Sequence, residues 1–130
     1  MPAPLARPTV LLVDDHAPVR LALRTILEGD GYAVEEADSG RAALQLCARA
    51  DLDLLVTDLV MPDCDGIELL RSLRRTNPGL PILVVTGADQ VLGPLGAMAG
   101  LLGAQRVLLK PVALEEFRRA VRELMTGTAT

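Results

Sequence analysis

Short apolar runs alternate with amphipathic stretches five times along this chain. The runs fall at residues 9–13, 32–37, 54–57, 81–85 and 106–109. Two of them, Val10-Leu11-Leu12-Val13 and Leu54-Leu55-Val56-Thr57, read as buried strands of a sheet covered on both faces. Helical patterns occupy about residues 17–28, 40–49, 66–75, 91–101 and 114–125. The first places Val19, Leu23, Ile26 and Leu27 at three- and four-residue spacing and is ended by Gly29-Asp30-Gly31. The second opens after the capping residues Asp38-Ser39 and turns Ala43, Leu44 and Cys47 inward. The last sets Leu114, Phe117, Val121 and Leu124 on one face, with Glu115, Glu116, Arg118, Arg119 and Arg122 outside. The fourth pattern contains Gly93, Pro94, Gly96 and Gly100. Glycine costs about 1 kcal/mol and proline about 3 kcal/mol in a helix interior, which predicts a short or broken element there. Strand and helix alternating in this way predict an α/β fold, a doubly wound five-stranded parallel sheet with five helices.

Composition narrows the class. A length of 130 residues fits one domain with a proper core. Residues 1–8 hold three prolines and read as a flexible lead-in with no secretory leader, residues 9–125 as the domain and 126–130 as a tail. No apolar stretch approaches the roughly 18 residues needed to span a bilayer, so no membrane insertion is expected. A formal charge of −4 argues against nonspecific nucleic-acid binding. Cys47 and Cys64 form neither a CxxC motif nor a disulfide framework, which makes a reducing, cytoplasmic setting the expectation.

The chemistry-bearing residues fall at strand carboxyl ends, where open α/β sheets bind ligands. Asp14-Asp15 follow the first strand, Asp58 the third, Thr86 the fourth and Lys110-Pro111 the fifth. Three carboxylates converging there would repel one another, and such a cluster suits a hard divalent cation with oxygen ligands. This order, together with the loop Asp58-Leu59-Val60-Met61-Pro62-Asp63-Cys64-Asp65-Gly66, resembles the receiver domain of bacterial two-component response regulators over nearly the whole chain.

The resemblance implies a flavodoxin-like receiver fold with strand order 2-1-3-4-5. It implies that Asp58 accepts a phosphoryl group from a histidine kinase or histidine phosphotransfer protein, a form of covalent catalysis by a carboxylate. The expected cofactor is Mg²⁺, with Mn²⁺ as a substitute, held by Asp15, Asp58 and the backbone carbonyl of Val60, with Asp14 acting through water. Lys110 would pair with Asp58 and then with a phosphoryl oxygen, and Thr86 would hydrogen-bond the phosphoryl group. Gly87, Pro111 and Gly66 would support the turns, Pro111 by permitting a cis peptide. The expected protein is a single-domain response regulator, catalysing only its own phosphorylation and dephosphorylation. It would signal to a downstream protein target without contacting nucleic acid, as a monomer or a weak phosphorylation-dependent dimer. The alternative on the same fold is a pseudo-receiver, a phosphorylation-independent interaction module.

Blander readings compete residue by residue. Asp14 and Asp15 are good caps for the first helix. His16 has no second His or Cys at metal-ligand spacing and reads as an exposed bystander, and Cys47 reads as core. Asp63-Cys64-Asp65-Gly66 brushes against phosphatase and calcium-loop motifs, but Met61-Pro62 separates it from the strand and no later Glu completes a calcium loop. Two departures from the family bear on output. Val107 stands where many receivers carry an aromatic switch, and the Thr86-to-Lys110 segment is about two residues longer than the common spacing. Val60 and Ala88 flank the path of hydrolytic water in this family, and neither side chain can hold water. Self-dephosphorylation is therefore predicted to be slow, and Val60→Asn to accelerate it. A wild-type half-life of seconds that Val60→Asn leaves unchanged contradicts this reading.

Overall fold

The computed structural model describes residues 7–48, 51–59, 66–87, 100 and 103–127. Five strands, β1 (Thr9–Val13), β2 (Ala33–Ala37), β3 (Leu54–Thr57), β4 (Ile82–Thr86) and β5 (Arg106–Leu109), pair in parallel in the order β2-β1-β3-β4-β5. The described helices are α1 (Ala17–Gly29), α2 (Gly40–Cys47), α3 (Gly66–Thr76) and α4 (Leu114–Thr126). The helix predicted over 91–101 lies outside the described residues, apart from Gly100.

Side chains alternate across the pleat and sort into two cores. Leu11, Val13, Leu55, Ile82 and Val84 pack with Ala43 of α2 and Ile67, Leu70 and Leu73 of α3. Val10, Leu12, Leu54, Val56, Leu83 and Val85 pack on the other face with Leu23 and Leu27 of α1 and Phe117, Ala120, Val121 and Leu124 of α4. This two-sided cover is why the central strands are apolar at nearly every position. The chain runs from β1 to β2 on one side and then crosses to β3 on the other, so the strand order reverses between β1 and β3. A crevice opens at their carboxyl ends.

Several boundaries move by a residue for local reasons. Tyr32 precedes β2, because its N–H is given to the Leu27 carbonyl at the end of α1. Thr86 is the last residue of β4, paired with Leu109, and does not follow the strand as predicted. Ser39 caps α2 as expected, accepting the Ala42 N–H at 3.2 Å. Leu114 is a correction: it is 51% exposed at the start of α4, and Ala120 takes its place among the buried positions. Cys47 is half-buried at the core's edge, and burial pushes its thiol up to about 11.

Sequence reading missed the role of Arg74. Its guanidinium donates to the carbonyls of Pro78, Leu80 and Gly103, tying the end of α3 to the turn before β5. Gly103 has φ +95°, and a Cβ there would lie 2.6 Å from Arg74 Nε, so both the backbone and the strap favour glycine at this position.

Candidate functional site

Backbone pairing carries the acidic residues to one edge. β1 and β3 run in register from Val10–Leu54 to Val13–Thr57, so the next residues, Asp14 and Asp58, emerge side by side. The Asp14 N–H still reaches the Ala37 carbonyl at 3.2 Å, and the Asp58 N–H reaches the Val13 carbonyl at 3.1 Å. Carboxylate oxygens of Asp14, Asp15 and Asp58 all lie within 4.8 Å of one another. Asp14 is buried and Asp15 is exposed; Asp58 lies at the margin of burial, 9% exposed.

Among the described residues, Lys110 is the cation that pairs with this charge. Lys110, delivered by the end of β5, places Nζ 2.8 Å from Asp14 Oδ2 and 2.8 Å from Asp58 Oδ2. Its approach is fixed by its own backbone, whose N–H donates to the Thr86 carbonyl at 2.8 Å. Burial favours the neutral amine, yet the hydrogen bonds and charges of Asp14 and Asp58 outweigh it and hold the Lys110 pKa above its ordinary value. The raised value means that the stabilisation is complete below the ordinary lysine pKa and is lost only as pH rises through the folded-state value.

The second oxygen of Asp58 is also held. Oδ1 accepts the Leu59 N–H at 2.6 Å and the Thr86 hydroxyl at 2.7 Å. The resemblance gave Lys110 the single partner Asp58; the structure gives it two. Asp14 also serves the blander role, since its Oδ1 accepts the His16 N–H at 2.8 Å while His16, the N-cap of α1, makes no side-chain cap bond.

Gly66 closes the loop after Asp58. Its N–H donates to the Leu59 carbonyl at 2.7 Å, and a Cβ on it would lie 2.4 Å from the Asp58 carbonyl oxygen and 2.6 Å from Leu59 Cα. Gly87 follows Thr86 half-buried, and the Lys110–Pro111 bond is cis. Val60, Asp63, Cys64, Asp65 and Ala88 lie outside the described residues. Val107 is half-buried against the core on the α2–α3 side. Arg20 was not singled out from sequence, yet its Nη1 donates to the Asp14 carbonyl at 2.6 Å. Beside the crevice an apolar groove of about 440 Å³ runs between α1 and the start of α4, lined by Val19, Leu23, Ile26, Pro111 and Leu114.

Three clustered carboxylates, two of them paired with one ammonium, leave net negative charge and all-oxygen donors, a set that fits a hard divalent cation. The model of the response regulator receiver domain matches residues 10–122. The chain belongs to this family. Response regulator MprA of Mycobacterium leprae is 46% identical over 120 residues, covering 92% of this chain and 51% of the relative. The chain thus spans about half the length of the curated relatives it matches. Among solved structures, a CheY-like receiver domain protein from Methanospirillum hungatei superposes with a TM-score of 0.88 at 26% identity, over 95% of this chain and 97% of that one. The response regulator TrrA of Thermotoga maritima, solved in complex with Mg(2+)-BeF, gives a TM-score of 0.80 at 26% identity, over 90% and 98%. Among the described residues no helix is long and apolar enough to cross a membrane.

The fit at Gly66 yields a direct test. Gly66→Ala is expected to push the helix start away from Asp58 and to lower stability by about 1–3 kcal/mol, the usual range for overpacking, read as a lower urea midpoint. An unchanged midpoint contradicts the close approach.

Proposed function

We propose that this receiver accepts a phosphoryl group on Asp58 from a phosphohistidine of a histidine kinase or phosphotransfer protein. The observation that carries the proposal is the Lys110 ammonium shared by Asp14 and Asp58, with Thr86 and the Leu59 N–H on the remaining Asp58 oxygen. In the transfer an Asp58 oxygen bonds to phosphorus while the phosphorus–nitrogen bond breaks. The electron pair of that bond returns to the imidazole, and the product is an aspartyl phosphate.

Phosphoryl transfer asks the protein mainly for position and charge neutralisation. Asp58 is held from both sides, so its carboxylate is aimed before a donor arrives. Lys110 can leave Asp58 for a phosphoryl oxygen while keeping Asp14. The Thr86 hydroxyl, within hydrogen-bond distance of Asp58, can turn to the new phosphoryl group and draw the end of β4 inward. Asp15, Asp58 and the Val60 carbonyl would hold Mg²⁺, or Mn²⁺ in its place, with Asp14 acting through water. When bound, the ion neutralises charge on the transferring group. The complex of TrrA with Mg(2+)-BeF supports a divalent cation in such a pocket. The signal then passes by contact with a protein target in the cytoplasm, and the chain turns over no substrate other than its own phosphoryl group.

Intact mass after incubation with Mg²⁺ and acetyl phosphate tests the proposal. A single phosphoryl adduct is expected that requires Mg²⁺ and is absent from Asp58→Asn. No adduct on the wild type, with acetyl phosphate and again with a competent histidine kinase, leaves the phosphorylation-independent pseudo-receiver as the correct reading.

A further inference from the structure

Asp14, Asp15 and Asp58 are not held alike. The Asp58 carboxylate has Lys110, Thr86 and the Leu59 N–H, and the Asp14 carboxylate has Lys110 and the His16 N–H. Among the described residues no hydrogen bond or ion pair reaches the Asp15 carboxylate. Its position therefore depends on its backbone, and the peptide that sets it is the one joining Asp14 to Asp15.

That peptide is gripped from outside the sheet. β1 ends at Val13, and the Asp14 carbonyl accepts Arg20 Nη1 at 2.6 Å. Arg20 comes from the first turns of α1, its side chain only 20% exposed. Its Nε donates to Glu36 Oε1 on β2 at 3.1 Å, while Arg24 takes the other oxygen of Glu36. Glu36 precedes Ala37, whose carbonyl accepts the Asp14 N–H. Both polar ends of Asp14's backbone are thus tied to one two-residue stretch of β2, directly through Ala37 and through Arg20 from Glu36.

We infer that Arg20 is a positioning residue for the divalent-cation site, acting through the Asp14 carbonyl to aim the Asp15 carboxylate. The inference rests on the cation-assisted reading above. Without the guanidinium the carbonyl turns to water, and among the described residues the peptide keeps only the flanking bonds of the Asp14 N–H to Ala37 and the His16 N–H to Asp14 Oδ1. Asp15 then samples a wider range of directions, while Asp14 and Asp58 keep their own partners. Loss of an outer partner of a metal ligand typically costs about 10- to 100-fold in affinity. Arg24 supplies an internal control, because it shares Glu36 but does not touch the Asp14 carbonyl.

The test is Mn²⁺ binding to the unphosphorylated protein, read as loss of the free-ion signal in electron paramagnetic resonance. Wild type, Arg20→Ala, Arg20→Lys, Arg24→Ala and Asp15→Asn are compared, with metal-free thermal unfolding for each. Arg20→Ala is expected to bind about tenfold more weakly. Arg24→Ala should stay within about twofold of wild type, and Arg20→Lys, which keeps a cationic donor, should recover part of the loss. If Arg20→Ala fails to fold, Arg20→Met keeps the aliphatic stem and takes its place. Arg20 variants that bind as wild type, or an Arg24→Ala loss as large as that of Arg20→Ala, overturn the inference and leave the phosphoacceptor reading standing. Binding that Asp15→Asn leaves unchanged overturns the inference together with the assignment of Asp15 to the cation site on which it rests.

Discussion

One ammonium shared by two of three clustered carboxylates is the contact on which the site depends. Lys110 joins the ends of β1, β3 and β5, elements far apart in sequence, by two hydrogen bonds of equal length. Removing one partner from such a group leaves the others uncompensated, which costs more than the pair contributes when intact. The arrangement is also a poised one. The charge it leaves unneutralised favours a divalent cation, and the bond to Asp58 is the one a phosphoryl oxygen would replace.

The frame around this contact is apolar and closed on both faces of the sheet. Buried strands hold the backbone so that Asp14 and Asp58 leave adjacent positions in register; the Thr86 hydroxyl meets Asp58 from β4, and the Lys110 ammonium meets both from the end of β5. Side chains carried by packed strands are aimed with little remaining freedom, which is what transfer to a fixed carboxylate requires. Gly66 shows how tight the frame is, since no side chain fits between α3 and the Asp58–Leu59 backbone.

Most of this frame was legible in the sequence because its signals are local. Apolar runs ending in Asp, Thr or Lys marked the strands and their carboxyl edge, and β1, β3 and β5 have the predicted bounds. Helix ends were less so: Leu114 fits the apolar stripe of α4 but lies in its first turn, beyond the cover of the sheet. What remained hidden was long-range and polar. Neither the second partner of Lys110 nor the reach of Arg20 to the Asp14 carbonyl leaves a periodic trace. The three carbonyls gathered by Arg74 are equally silent, because backbone acceptors have no letter of their own.

Lys110 is the chain's sole lysine, so its Nζ can be observed alone. Nitrogen-15 NMR of lysine-labelled protein across a pH titration reads this contact at its own nitrogen. One ammonium is expected that stays cationic beyond its ordinary value of about 10.5. Its signal should shift when Mg²⁺ and beryllofluoride are added, and Asp58→Asn should lower its pKa and abolish that response. An ammonium that titrates at or below the ordinary value, indifferent to Asp58→Asn, would mean that Asp14 and Asp58 do not hold Lys110 as a cation.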